Sequence, residues 1–159
     1  MLRVTKQADY GIVLMTHMAI DPERRCTAPE LASETMIPLP MVSKILKILS
    51  KSELLLSHRG VKGGYSLARD PGEITVAEMI TALEGPIAFT ECIEGAPGFC
   101  TQEAVCRLRS NWQRINMALT RALEGISLAE LAQPMPALVR LGAGRAIEGR
   151  VRTETGIGT

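Results

Sequence analysis

A glycine-rich turn between two short apolar segments constrains the fold of this chain more than any other feature. The segments cover 54–59 and 65–67, and the turn between them contains Gly60, Gly63 and Gly64. Short apolar runs bounded by glycine predict two strands joined in a hairpin. Because the glycines carry no side chains, the tip can approach another molecule's backbone closely. Glycine-rich loops also bind nucleotide phosphates, but those loops open a helix, whereas this one lies between strands.

Two helices are predicted directly before the hairpin. Thr27 and Glu30 form a capping box that opens a short helix reaching Thr35. Pro38 and Pro40 then break the chain, and the next helix begins after them. The connection between the two helices is therefore short, as it is in a helix-turn-helix.

The second of these helices, predicted over 41–51, has two different faces. The apolar side consists of Val42, Ile45, Leu46 and Leu49, and the basic side of Lys44, Lys47 and Lys51. Spacings of three and four residues place each set on one side of a helix. A helix-turn-helix with a lysine stripe, followed at once by a hairpin, predicts a winged-helix domain.

Four further helices complete the prediction. Thr5 caps a helix over 6–20, and its buried side is predicted to contain Ile12, Val13, Met15, Met18 and Ala19. A second capping box at Thr75 and Glu78 opens a helix to about Leu83, and Ser127 caps a last helix that ends before Pro134. Between them lies a helix about five turns long, whose apolar seam consists of Val105, Leu108, Trp112, Ile115, Leu119 and Ala122.

The predicted fold is mostly α with a small β-wing: a winged helix-turn-helix domain plus a long C-terminal dimerisation helix. The domain prediction assigns 1–70 to DNA binding and 71–134 to a cysteine-loop sensor and dimerisation region. The tail over 135–159 is rich in glycine and arginine with little periodicity, and we predict that it is disordered.

The charge distribution indicates a phosphate-binding surface. Between Leu39 and Arg69 the chain has six Lys/Arg residues and a single acid, Glu53. A local basic patch of this kind is typical of nucleic-acid binding, although a solvated surface is the plainer alternative. Aromatic residues make up only 3% of the chain, which argues against recognition of single strands by base stacking.

Seven residues are predicted to contact double-stranded DNA. Those at the start of the lysine-bearing helix lie where base edges are usually met, and its lysines are placed to contact phosphate. The hairpin residues would contact the backbone or the minor groove. The predicted set is Pro40, Met41, Ser43, Lys44, Lys47, Arg59 and Lys62.

Three of the four cysteines fall within one short glycine- and proline-containing segment, at Cys92, Cys100 and Cys106. The chain shows no secretion signal and no apolar run long enough to span a membrane, so we expect a cytosolic protein without disulfides. Clustered thiolates there predict a soft-metal or iron–sulfur site. A structural zinc site and a thiol switch remain alternatives. The fourth cysteine, Cys26, follows Arg24 and Arg25 and is interpreted as a bystander whose thiol pKa these arginines could lower.

These features together resemble the Rrf2 family of winged-helix transcriptional regulators, the iron–sulfur regulators typified by IscR and NsrR. The resemblance covers 1–133 and rests on the opening segment LRVTKQADYG at 2–11, the hairpin segment RGVKGGYSL at 59–67 and the three cysteines after 82–84. Within the family, 16–19 and 92–94 look most like the branch that regulates the SUF cluster-assembly operon. The chain shows no Ser–His–Asp pattern and no nucleotide fingerprint, so an enzyme is not expected.

The resemblance implies a homodimer on a palindromic operator, with the long helices crossing at the dimer interface. Each subunit would hold one iron–sulfur cluster, 4Fe–4S or 2Fe–2S, on the three cysteines. Some relatives add a histidine three residues after the last cysteine, but that position here is Arg109, and no histidine follows His58. Others use an aspartate near the N-terminus of the partner subunit, and Asp9 stands at that place, while Glu91, Glu94 and Glu103 are local alternatives. A carboxylate in the first turn of a helix is also favourable without any metal.

The implied function is control of cluster-assembly genes, as a repressor, in response to iron–sulfur status. The alternative is a regulator that senses nitric oxide or redox stress at the same cluster. A ligand shared between subunits would connect the cysteine loop to the spacing of the two recognition helices, which controls DNA affinity.

Overall fold

The structure, a computed structural model, describes residues 4–61, 63–90, 93 and 106–133. These residues form six helices and one two-stranded sheet. In chain order the elements are α1 (Lys6–Ala19), α2 (Ala28–Thr35), α3 (Leu39–Lys51), β1 (Leu55–His58), β2 (Gly64–Leu67), a 3-10 turn (Pro71–Glu73), α4 (Val76–Glu84), α5 (Arg109–Glu124) and α6 (Leu128–Ala132). The predicted mostly helical fold with a β-wing is confirmed. No helix in the described ranges is long and apolar enough to cross a bilayer.

Hydroxyl side chains start four of the helices, as the sequence predicts. Thr5 accepts a hydrogen bond from the Ala8 amide, and complete capping boxes open α2, α4 and α6. The exceptions are α5, which follows Leu108 without a side-chain cap, and α3, which begins at Leu39, two residues earlier than predicted. Pro38 occupies its N-cap, and Pro40 is tolerated in the first turn because amides there have no partner within the helix.

The hairpin is the predicted wing, and it is attached to the domain by a third extended segment. In β1 and β2, Leu55 is paired with Leu67 and His58 with Gly64. On the far side of β2, Tyr65 exchanges two backbone hydrogen bonds with Cys26, at 2.8 and 2.9 Å. This connection holds the wing beside α1 and α2.

Helix α1 lies at the centre of the described fold and packs against α3, α4 and α6. The largest fully buried side chains of the core are Leu14, Met15, Leu31, Ile45, Leu46, Leu49, Leu55, Ile74, Met79 and Leu128. The predicted buried side of α1 is partly wrong. Val13 is 42% exposed and Ile12 half-buried, because the face that packs inward follows Ala8, Gly11, Met15 and Met18.

The predicted long helix begins at Arg109, so it is shorter than its apolar pattern. Its seam is divided between two environments. Trp112 and Leu119 are half-buried against the rest of the chain, whereas Leu108 and Ile115 are exposed by 55% and 46%. Val105 lies outside the described residues, as do the tail over 135–159 and two of the three clustered cysteines. The boundary at residue 70 between the DNA-binding domain and the sensor region stays a prediction. In the structure, residues of α4 and α6 pack in the same core as residues of α1.

Met36, in the turn between α2 and α3, has a left-handed backbone with φ of 58° and is 87% exposed. A side chain at such a position costs free energy that glycine avoids. Because Met36 contributes almost no packing, we expect Met36→Gly to raise the free energy of unfolding by about 0.5–1 kcal/mol, as measured by urea denaturation.

The matched control is Met36→Ala, which removes the exposed side chain but keeps the Cβ atom and its strain. It should leave the free energy of unfolding near the wild-type value. Equal stabilisation by alanine and glycine would show that loss of the apolar side chain, and not the backbone conformation, is responsible.

Candidate functional site

The solvent face of α3 presents a basic stripe. Lys44, Lys47 and Lys51 are exposed, and Pro40 is exposed at the start of the same stripe. Their positions differ by three or four residues, so they fall within a narrow strip along the helix. The opposite face, Val42, Ile45, Leu46 and Leu49, is buried in the core as predicted. Of the other predicted contacts on α3, Met41 and Ser43 are half-buried at the edges of the stripe.

The wing adds a further exposed cation. Arg59 follows β1 and is exposed, whereas Lys62 lies outside the described residues. The wing is braced by a hydrogen bond of 2.9 Å between His58 Nε2 and Ser66 Oγ across its two strands.

One member of the predicted basic stretch is not free. Arg69 forms an ion pair of 2.8 Å with Glu78 on α4, so its charge is already compensated. Among the described residues of 39–69, the exposed cations outside this ion pair are therefore the three lysines of α3 and Arg59.

The predicted metal ligands are only partly described. Cys106 is half-buried and lies three residues before α5, whereas Cys92 and Cys100 lie outside the described residues. Asp9 is exposed in the first turn of α1. Within the described part of the chain, no three His, Cys, Asp or Glu side chains come together as a metal site.

The start of α1, where Asp9 lies, is tied to the end of α4. The Thr5 amide donates to Glu84 Oε1 at 2.7 Å, and Gln7 Nε2 donates to the Leu83 carbonyl at 2.9 Å. These bonds therefore connect the helix that carries Asp9 to the end of α4, the helix that precedes the cysteine segment in the chain.

Asn116 on α5 is a site residue that the sequence argument missed. It is the buried polar residue of the described chain, and its amide bonds the backbone after α4 twice. Nδ2 donates to the Ile87 carbonyl and Oδ1 accepts from the Phe89 amide, both at 2.9 Å. One turn earlier, Trp112 stacks on Phe89 with ring centroids 5.4 Å apart. The sequence did carry a signal for it: Asn116 follows Trp112 of the apolar seam by four residues, which places the two side chains on the same side of the helix.

The pKa of the Cys26 thiol is shifted in the direction opposite to the predicted one. Burial raises the pKa of its thiol, and the nearby Arg24 guanidinium opposes this shift without overcoming it. Cys26 is only 2% exposed, so it is a core residue. Arg24 is held by Glu34, which also bonds His17 Nε2 at 2.7 Å. These partners lower the pKa of the Glu34 carboxyl, and the bond between His17 and Glu34 joins α1 to α2.

A groove of about 550 Å³ lies between the end of α3, α4 and α5. Its lining includes Thr75, Glu78, Thr81, Thr120 and Glu124 and contains no histidine, cysteine or lysine.

A family model described as Rrf2, iron-dependent transcriptional regulator, matches residues 4–134. The chain belongs to the Rrf2 family. The match spans all six helices and the wing, and members of this family are transcriptional regulators, not enzymes.

Individual Rrf2 relatives cover most of the chain. The regulator IscR of Klebsiella pneumoniae is 31% identical over 134 residues, which is 82% of this chain and 79% of that protein. The Rrf2 protein of Nitratidesulfovibrio vulgaris is 30% identical over 131 residues, 82% and 87% of the two chains.

Solved structures share the same architecture. CymR of B. subtilis, described as its global cysteine regulator, is 28% identical with a TM-score of 0.65, covering 83% of this chain and 97% of its own. IscR of T. potens is 25% identical with a TM-score of 0.62, covering 87% and 96%. The winged-helix fold of an Rrf2 regulator is therefore established for this chain, and DNA is its expected partner.

Proposed function

We propose that this Rrf2 protein is a cytoplasmic repressor that controls iron–sulfur cluster-assembly genes in response to cluster status. The observation that carries the proposal is the position of three cysteines between α4 and α5 in a chain of this family. The assignment to the SUF branch of regulators is part of the proposal.

The donor set suits an iron–sulfur cluster. Thiolates are the usual ligands of such clusters, and Cys92, Cys100 and Cys106 would provide three of them. A bound cluster supplies a group whose presence depends on iron supply and on oxidants. We propose that Asp9 of the partner subunit completes the ligand set, because three thiolates leave one ligand position open and the Asp9 carboxylate is exposed.

DNA would be bound by the basic stripe of α3 and by the wing. Lys44, Lys47 and Arg59, with Lys62 at the tip, would contact phosphate, while Pro40, Met41 and Ser43 would face base edges. The absence of any acid over 36–52 supports an anionic partner on this face.

A homodimer is supported by the exposed half of the α5 seam. Leu108 and Ile115 are exposed apolar residues that lie on one side of α5, away from the buried Asn116. A second copy of α5 would cover these side chains. Two copies of α3 could then read the two halves of a palindromic operator.

The direct test is anaerobic purification with a visible absorbance spectrum and an iron count, followed by a gel shift on DNA upstream of cluster-assembly genes. We expect visible absorbance together with bound iron, and a change in DNA affinity when the cluster is removed. A colourless protein that binds the same DNA equally well with and without iron would contradict cluster sensing. A change in DNA affinity when the cluster-bound protein is exposed to nitric oxide, with no response to iron supply, would favour the alternative signal.

The phosphate role of α3 predicts the behaviour of Lys47→Ala. Removing one phosphate contact should weaken binding to all DNA sequences alike and reduce the slope of log affinity against log salt by about one unit. Fluorescence anisotropy titrations at several salt concentrations measure both. Lys6→Ala, an exposed lysine on α1, is the matched control and should keep the wild-type slope. A loss of sequence preference with an unchanged slope would assign Lys47 to base reading instead.

A further inference from the structure

Both ends of the cysteine segment are attached to the first two turns of α5. Its exit is Cys106, three residues before the helix begins. Its entrance follows Phe89, whose backbone and ring are held by Asn116 and Trp112. With a rise of about 1.5 Å per residue, Trp112 and Asn116 lie only about 5 and 11 Å along the axis from the first residue of α5.

The attachment at the entrance is more specific than apolar packing. The Asn116 amide uses one donor and one acceptor on the Ile87 carbonyl and the Phe89 amide, so it fixes the position of that backbone along the helix as well as its distance. A leucine at this position would fill similar space without setting the register. Because Asn116 is 8% exposed, water competes weakly for these two bonds.

We propose that Asn116 is a positioning residue that holds the entrance of the cysteine segment beside its exit, with the Phe89–Trp112 stack as its second contact. This inference rests on the proposed function, since it gives the clamp formed by Asn116, Trp112 and Phe89 a role in retaining a cluster. Only two residues separate Phe89 from Cys92, so fixing Phe89 restricts the volume that the Cys92 thiol can sample relative to Cys106.

The clamp also sits on the helix that we propose as the dimer element. A change in the cysteine segment would therefore act on α5 through Asn116 and Trp112. Exchange of the Asn116 amide bonds for water would loosen the segment without altering the core around α1.

The test compares Asn116→Ala with Asn111→Ala. Asn111 is the matched control because it is the chain's other asparagine, lies on the same helix and is exposed beside the proposed dimer face. An effect that arises from altered dimerisation would appear in Asn111→Ala, whereas an effect of losing the clamp would appear in Asn116→Ala. Thermal unfolding of both variants confirms that each is folded.

The first measurement needs no cluster. In the full chain carrying Cys100→Ser, diamide is added to the iron-free protein, and the rate of the disulfide between Cys92 and Cys106 is followed by mass spectrometry. Because the rate reports the effective concentration of one thiol near the other, we expect Asn116→Ala to slow it by about fivefold and Asn111→Ala to leave it unchanged. Equal rates in the two variants would overturn the positioning role.

The second measurement is the decay of visible absorbance after cluster reconstitution, under a chelator. We expect about tenfold faster loss in Asn116→Ala, the size typical of residues that orient metal ligands. If the wild type takes up no cluster, the proposed function fails while the disulfide rate still decides the clamp. If Asn116→Ala does not fold, Trp112→Leu removes the other contact and should slow the disulfide in the same direction; an unchanged rate there would contradict the clamp.

Discussion

Cys106→Ser leaves the protein colourless and free of iron after anaerobic reconstitution, if the proposed cluster site is correct. Two thiolates remain in the segment, too few to retain a cluster, and a serine hydroxyl is a poor ligand for iron in place of a thiolate. Iron per chain should fall at least tenfold, measured by a colorimetric assay and by visible absorbance. The fold should survive, because Cys106 is half-buried outside the core and the substitution is nearly isosteric.

The control is Cys26→Ala. Cys26 is buried, burial raises its thiol pKa, and its backbone pairs with the wing. This variant loses a cysteine without losing a proposed ligand, so it should keep the wild-type absorbance and iron content. Iron retained in Cys106→Ser, or lost equally in Cys26→Ala, would contradict the assignment.

The same measurement on Asp9→Ala tests the ligand from the partner subunit, and an unchanged spectrum and lifetime would exclude it.

Gly64→Ala is expected to destabilise the protein by about 2–4 kcal/mol and to detach the wing from the domain. Gly64 has φ of 143°, and a Cβ atom there would lie 2.8 Å from the carbonyl oxygen of Cys26. That atom belongs to backbone held by two hydrogen bonds with Tyr65, so it cannot move aside alone. Urea denaturation measures the loss, and hydrogen exchange of the Cys26 and Tyr65 amides shows whether the wing separates.

The matched control is Gly60→Ala at the other end of the same turn. Gly60 also has a positive φ, 99°, but no atom lies within 4 Å of the place where its Cβ would be. It should lose only the cost of the backbone conformation, about 1–2 kcal/mol. If both variants lose the same stability, the contact with Cys26 carries no weight and the left-handed backbone alone explains the effect.

Local sequence signals predicted the helices well because their causes are local. A hydroxyl residue three positions before a glutamate starts α2, α4 and α6, since the bonds that it makes lie within a few residues. The wing was predicted for the same reason, as glycines between short apolar runs demand a turn. The start of α3 was placed late because Pro40 reads as a break, whereas it is accepted inside a first turn.

The sequence argument failed where the outcome depends on what packs against a helix. Val13 and Met15 fit an apolar side of α1 equally well, but only Met15 meets the core. Arg24 was expected to acidify the Cys26 thiol, yet Glu34 pairs with the arginine and burial dominates the thiol pKa. Arg69 was counted in the basic patch, but it forms an ion pair with Glu78 on α4.

The sequence alone determined the order of the helices, the wing, the lysine stripe and the three clustered cysteines, because periodicity, capping and residue chemistry are properties of neighbouring positions. The tertiary structure decided which half of the α5 seam is covered, and it joined Asn116 to a backbone segment 27 and 29 residues earlier in the chain. Such partners are brought together by the packing of α5 beside the end of α4, and no local pattern encodes a contact over that separation.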